Sequence, residues 1–270
     1  MAHGHSDPGN VEFDGRPELV RRRHPLAMVY GGGGVFGIAY IAGVATGLME
    51  CGIPLATAPS LGTSAGSWTA SAIALGLTYD DFLTIRTPRV PNLRPGVLAG
   101  IAEEIFGDES HPLVSVSAVS VGTGKRHILD GGMFRLADLV AASSAVPGLL
   151  PPHRVDGRLY VDGGMWSATS VDAASEADRV IVVAPLAGTV MGPMGRTAGL
   201  LLERELARWR ARHPDSEVNL IRPNREISRL AGRNPLALFD GDRARTVYEP
   251  AYEQGLRWGE RIGADTQPAA

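Results

Sequence analysis

The sequence predicts an α/β protein built as one domain, and three observations carry that expectation. The chain has 270 residues, 44% of them hydrophobic and 20% charged, an ordinary balance for a globular domain of this size. Twice near its start a short apolar run passes through glycine into a helix-like stretch: Leu26–Tyr30 through Gly31–Gly34 into Phe36–Glu50, and Ala58–Leu61 through Gly62 into Ala65–Leu75. Arg179–Leu186 is a further run of the kind a buried parallel strand shows.

The remaining elements follow in order. Phe36–Glu50 is apolar almost all round yet too short for a membrane span, so it is expected to lie buried against the sheet, closed by Gly52. Tyr79–Gly107 reads as helical with a break at Pro88, Pro91 and Pro95, either a cap over a pocket or a plain surface connection. Pro112–Val121 alternates apolar with small polar residues and is followed at hairpin spacing by Lys125–Leu129, which predicts two paired strands. Arg135–Ala142 is helix-like, Arg158–Val161 a strand, Ala198–Arg212 an amphipathic helix, Ser216–Pro223 a strand and Arg243–Arg261 a C-terminal helix. Residues 25–262 are expected to form the domain, with 1–24 a flexible leader and 263–270 a fraying tail.

Composition excludes some functions. A net charge of −3 and a pI near 6.2 are not those of a nucleic-acid binder. The single cysteine, Cys51, cannot close an internal disulfide and reads as a small buried hydrophobe inside an apolar helix. The first residues hold no apolar core of a signal peptide, so a cytoplasmic protein is expected. Arg21-Arg22-Arg23-His24 is a solvated charge run, with transient contact to an anionic membrane surface as its alternative. His3 and His5 lack the further ligands a metal site needs, and neither metal nor cofactor is expected.

The chemistry gathers in two stretches. Gly62-Thr63-Ser64-Ala65-Gly66 is a G-x-S-x-G pentapeptide between a strand and a helix, where a serine hydroxyl projects above the sheet and the flanking glycines leave room for the sharp turn. Ser64 is the candidate nucleophile. Gly32, Gly33 and Gly34 end the preceding strand and open a helix, so their N–H groups are candidates to hold an anion or a developing oxyanion. Gly32, Gly34 and Gly37 also satisfy G-x-G-x-x-G, but a dinucleotide fold wants a carboxylate about twenty residues on. None occurs between Cys51 and Leu77, so no nucleotide is expected.

A serine needs a base. His213 alone follows Asp162 in the order of an ordinary hydrolase triad, and it sits in a polar helix end. Asp162 instead ends an apolar strand before Gly163-Gly164, where a dry pocket would raise its pKa and let it serve directly. Asp130-Gly131-Gly132 repeats the pattern earlier in the chain and is assigned to a turn.

Four motifs in order, Gly32–Gly37, Gly62–Gly66, Ala142-Ser143-Ser144-Ala145-Val146-Pro147-Gly148 and Asp162-Gly163-Gly164, resemble the patatin-like phospholipase family over roughly Leu26–Leu186. The resemblance implies a three-layer α/β/α fold around a mostly parallel sheet. It further implies a Ser64–Asp162 dyad, an oxyanion hole at Gly32–Gly34, and metal-free hydrolysis of lipid acyl esters, with Gly37, Gly62, Gly66, Gly163 and Gly164 supporting the motifs. The family usually carries Lys or Arg where Phe36 stands and often Asn-x-Pro after its Asp-Gly-Gly, where this chain has Met165–Thr169. Loss of that cation weighs toward a neutral acyl ester over a phosphate head group. A lipid-binding module without turnover, and a non-lipid esterase or thioesterase, are the competing expectations.

Overall fold

The structure, a computed structural model, describes residues 23–83, 89–188, 190, 192–232 and 234–264. Pro88, most of the expected leader and the last residues of the expected tail lie outside the described residues. In chain order the main elements are β1 (His24–Tyr30), α1 (Gly34–Glu50), β2 (Ser60–Thr63), α2 (Ala65–Ala74), α3 (Tyr79–Leu83), α4 (Val97–Phe106), β3 (Val114–Ser120), β4 (Arg126–Asp130) and α5 (Leu136–Ser143). They continue with β5 (His153–Val155), β6 (Arg158–Asp162), β7 (Ala177–Val183), α6 (Pro193–Arg212), β8 (Glu217–Ile221), α7 (Arg225–Leu230) and α8 (Gly241–Ala264).

Pairing runs β5-β6-β3-β2-β1-β7-β8, with β4 also on β3. The strands β3, β2, β1, β7 and β8 are mutually parallel, and β4, β5 and β6 join antiparallel. Side chains alternate across a strand, and here the alternation separates two cores. Met28 and Tyr30 of β1 pack with α1, α2, α5 and α8, whereas Ala27 and Val29 pack with Leu202, Leu206 and Trp209 of α6. The architecture is therefore three-layered, helices on both faces of a mostly parallel sheet.

The apolar circumference of α1 has its explanation in the fold, since the helix is enclosed between the sheet and α8. Its glycines meet backbone: a Cβ on Gly43 would stand 2.5 Å from the Tyr248 carbonyl oxygen, and one on Gly47 2.5 Å from the Leu256 nitrogen. Gly255 of α8 returns the fit, a Cβ there falling 2.4 Å from the Val44 carbonyl oxygen.

Both expected domain boundaries shift outward. The β1–β7 ladder starts at His24 opposite Ala177, and Arg23 pairs with Asp178 at 3.0 Å, so the leader's last two residues belong to the fold. Ile262, 1% exposed, packs in the core and carries α8 on through Gly263 to Ala264. Cys51 is a correction too: it caps the end of α1 half-buried against Gly259 instead of lying inside the helix. No helix among the described residues is long and apolar enough to cross a membrane.

Candidate active site

Parallel strands bring their C-terminal ends to one edge of the sheet, where helix N-termini and loops gather. At that edge β2 stops at Thr63 and the chain reverses at Ser64, with φ 51° and ψ −118°. A non-glycine residue held there costs about 1–3 kcal/mol and persists only when its surroundings over-determine it. They do so here: a Cβ on Gly66 would lie 1.9 Å from the Tyr30 carbonyl oxygen, and one on Gly62 2.5 Å from Ser67 Cα, so only glycine lets the strand and helix close on each other. The Ser64 N–H donates to Ser143 Oγ at 2.8 Å, and Ser143 in turn donates to the Ser117 carbonyl at 2.8 Å.

Register brings the carboxylate to the serine. β4 occupies one edge of β3 over Ser115–Val119, so β2 and β6 share the other edge end to end. Thr63 lies opposite Ser117, and the next place, opposite Ala118, is taken by Asp162. Ser64 leaves β2 beside the place where Asp162 ends β6. The register puts the Asp162 carboxylate beside the Ser64 side chain, and its Oδ1 accepts the Gly164 N–H at 2.6 Å. Asp162 is 4% exposed, and this burial pushes its pKa up to about 6, while the Ser64 hydroxyl and the Gly164 N–H beside it hold it from rising further. Gly163 packs on β3, where a Cβ would stand 2.2 Å from the Ser117 carbonyl oxygen.

The N-terminus of α1 stands beside the elbow, with Gly37 packed on Ala65. Gly33, at its N-cap, has no side-chain cap, and the first N–H groups of a helix have no intrahelical acceptor. The Gly32 N–H is committed to the Ala168 carbonyl at 2.7 Å, which narrows the expected donor set to Gly33 and Gly34, with Val35 next to them. Ala65, the first residue of α2, lines the same space, and its N–H has no intrahelical acceptor, a donor that the glycine pattern did not single out.

From Ser64 runs a groove of about 940 Å³, its mouth included. Val35, Ile38, Trp68, Phe82, Leu98 and Ile101 make it apolar, and among the described residues Arg245 is the one charged residue in its wall. The proline-broken segment after Tyr79 thus forms a wall of the groove through α3 and α4. Ser144 also lines it, buried, and accepts the Trp68 indole N–H at 2.9 Å. The serine pair at 143 and 144 stood out only as part of a motif, since their roles depend on α5 packing against the elbow.

Asp130 and His213 are remote. Asp130 pairs opposite Ser115, toward the N-terminal edge of β3, and accepts the Gly132 N–H at 2.8 Å as a turn residue does. His213 caps α6, lies tilted against the Trp209 ring and stands 3.9 Å from Glu176, at the start of β7 and so at the opposite edge of the sheet from Ser64. The ring of Phe36 turns into the core and lies parallel to Tyr40, with ring centroids 6.3 Å apart, so it does not face the groove. Among the described residues no cluster of three or more His, Cys, Asp or Glu could hold a metal ion.

Fold and site together define a three-layer α/β protein with a strained serine elbow beside a buried aspartate, at the end of an apolar groove. The patatin-like phospholipase family model matches residues 86–175, a stretch that includes the Ala142–Gly148 block and Asp162-Gly163-Gly164 and begins after Ser64. Uncharacterized NTE family proteins of Mycobacterium bovis and of two Mycobacterium tuberculosis strains are each 28% identical over 242 residues. These matches cover 83% of this chain, which spans about 60% of the length of those curated relatives. VipD from Legionella pneumophila is a similar solved structure at 13% identity and a TM-score of 0.43, over 85% of this chain and 67% of that one. This chain is thus similar to the patatin-like phospholipase family over residues 86–175 and to the mycobacterial NTE family proteins over most of its length.

Proposed function

We propose that the protein is a serine acyl hydrolase that cleaves fatty-acyl ester bonds of lipids through Ser64 and Asp162. The observation that carries this reading is the register that sets the buried Asp162 carboxylate beside the strained Ser64 at the end of an apolar groove. Asp162 takes the Ser64 hydroxyl proton as Oγ bonds to the ester carbonyl carbon, and the carbonyl electron pair moves onto oxygen. Gly33, Gly34 and Ala65 N–H groups meet that oxyanion. Collapse breaks the acyl C–O bond, and the proton on Asp162 passes to the departing alkoxide. A water then gives its proton to Asp162 and attacks the acyl-enzyme, releasing the fatty acid and restoring Ser64. A groove whose described wall is apolar except for Arg245 suits an acyl chain, and an anionic membrane surface is a compatible source of substrate.

A fluorophosphonate probe tests the dyad without a guess about substrate. Wild type is expected to carry the adduct on Ser64, Ser64→Ala to carry none, and Asp162→Ala to label at a rate lower by about 10²-fold or more. Asp130→Asn and His213→Ala are expected to label at the wild-type rate. Labelling of wild type elsewhere than Ser64, or none at all in folded protein, would sink the proposal.

A further inference from the structure

The face of α6 turned to the sheet is apolar through Leu202, Leu206 and Trp209, with one exception, Glu205, 8% exposed. Nothing in the hydrolytic step uses this carboxylate. Arg126, a cation near it, is committed to Asp172 through two hydrogen bonds of 2.6 and 2.9 Å. Burial pushes the Glu205 carboxyl up, the Ser167 hydroxyl and the Val171 N–H beside it hold it from rising further, and its Oε2 is buried without a partner among the described residues. A leucine would fill this place at lower desolvation cost, so packing alone does not account for the acid.

The partners of Glu205 lead to the reacting groups. Ser167 Oγ accepts the N–H groups of Thr169 and Ser170 at 3.2 and 2.8 Å and so shapes the loop that follows Asp162-Gly163-Gly164. That loop points the Ala168 carbonyl at the Gly32 N–H, 2.7 Å away, and presses Thr169 against Gly31. At its end Ser170 Oγ meets Ser117 Oγ at 3.0 Å, beneath Asp162.

We infer that Glu205 is a positioning residue for acyl transfer: through Ser167 it fixes the loop whose Ala168 carbonyl holds Gly32, and so aims the Gly33 and Gly34 N–H groups at the space above Ser64. The inference rests on the proposed role of the glycine turn as the oxyanion site. Ser167 thereby stands in the altered stretch after Gly164 as the residue that orders it.

The test measures kcat, KM and thermal midpoint on a short-chain ester, with the rate of fluorophosphonate labelling, for the full chain carrying Glu205→Leu, Glu205→Gln or Ser167→Ala. Glu205→Leu and Ser167→Ala are expected to lower kcat by about 10- to 100-fold with KM within about twofold, because a donor misplaced by about an ångström loses that much. Glu205→Gln keeps an acceptor for Ser167 and should stay within about threefold of wild type. The thermal midpoint of Glu205→Leu should be no lower than that of wild type, which separates positioning from stability. The double variant should lose no more than the worse single one. Folded Glu205→Leu and Ser167→Ala proteins with wild-type kcat would overturn the inference, and Ser167→Ala decides alone if the leucine variant does not fold. Absence of both hydrolysis and labelling in folded wild type would instead remove the hydrolase reading, and this one with it.

Discussion

Asp162 is held between two demands. Burial raises its pKa from the usual 3.8 to about 6, close enough to neutrality for a carboxylate to take a proton from a serine and return it. The same shift weakens the fold. A carboxyl whose folded pKa lies above its unfolded value binds more protons when folded, so its penalty is absent below about pH 3.8, grows between 3.8 and 6, and is complete above 6. A shift of this size corresponds to about 3 kcal/mol. Two results are expected together: kcat/KM rises with pH through an apparent pKa of about 6, and Asp162→Asn, nearly inactive, is more stable than wild type by urea denaturation at pH 8 but not at pH 4. An acid limb unchanged in position by the environment of Asp162, near pH 4, or equal stabilities at pH 8, would show that the carboxylate is not held as described. At this scale the sequence told where these residues lie: Ser64 at a strand-to-helix turn, Asp162 at a strand end, Asp130 at a turn and His213 at a helix end. What it did not tell was which N–H groups are free, because the Gly32 donor is claimed by Ala168, 136 positions away in the chain.

Elements were legible where their own residues decide them. The two strand-to-helix turns, the β3–β4 hairpin and α6 lie close to their expected places. β2 begins at Ser60, two residues later than its apolar run, because Pro59 has no N–H to give the ladder. β5, three residues inside a proline-rich loop, and α7, a short turn of helix, carry too little pattern to be seen. The α1–α8 contact was also hidden. Glycine inside a helix reads as a weakness of about 1 kcal/mol relative to alanine, and only the partner helix explains Gly43, Gly47 and Gly255. Gly47→Ala and Gly255→Ala are accordingly expected to destabilise by about 1–3 kcal/mol despite their better helix propensity. Gly100→Ala in α4, where a Cβ would meet nothing within 4 Å, should be neutral or stabilise by up to about 1 kcal/mol. Chemical denaturation of the three variants checks the contrast, and a stabilised Gly255→Ala would contradict the close approach.

The whole molecule builds its groove from distant parts of the chain: the glycine turn and elbow from the start, α3 and α4 from the middle, and Phe239, Gly241 and Arg245 from the end. No single stretch of sequence displays it, which is why the cap and the surface connection could not be told apart beforehand. If the groove receives an acyl chain, each buried methylene contributes about 0.8 kcal/mol, or about fourfold in kcat/KM, until the groove is full. Ile101→Trp, which puts a larger ring into the wall, is expected to reduce kcat/KM on long-chain p-nitrophenyl esters by at least tenfold while leaving acetate and butyrate esters within about threefold. An equal loss on all chain lengths would mean that the groove does not hold the chain. The interlocked glycines of α1 and α8 also bear on the birth of the protein. Thr46 and Tyr248, hydrogen-bonded across that contact, are 202 residues apart, so during synthesis the helix that presents the reacting turn waits for its partner until α8 has been made. Until α8 exists, the chain holds both strand-to-helix turns but lacks the part of the groove wall that Gly241 and Arg245 supply.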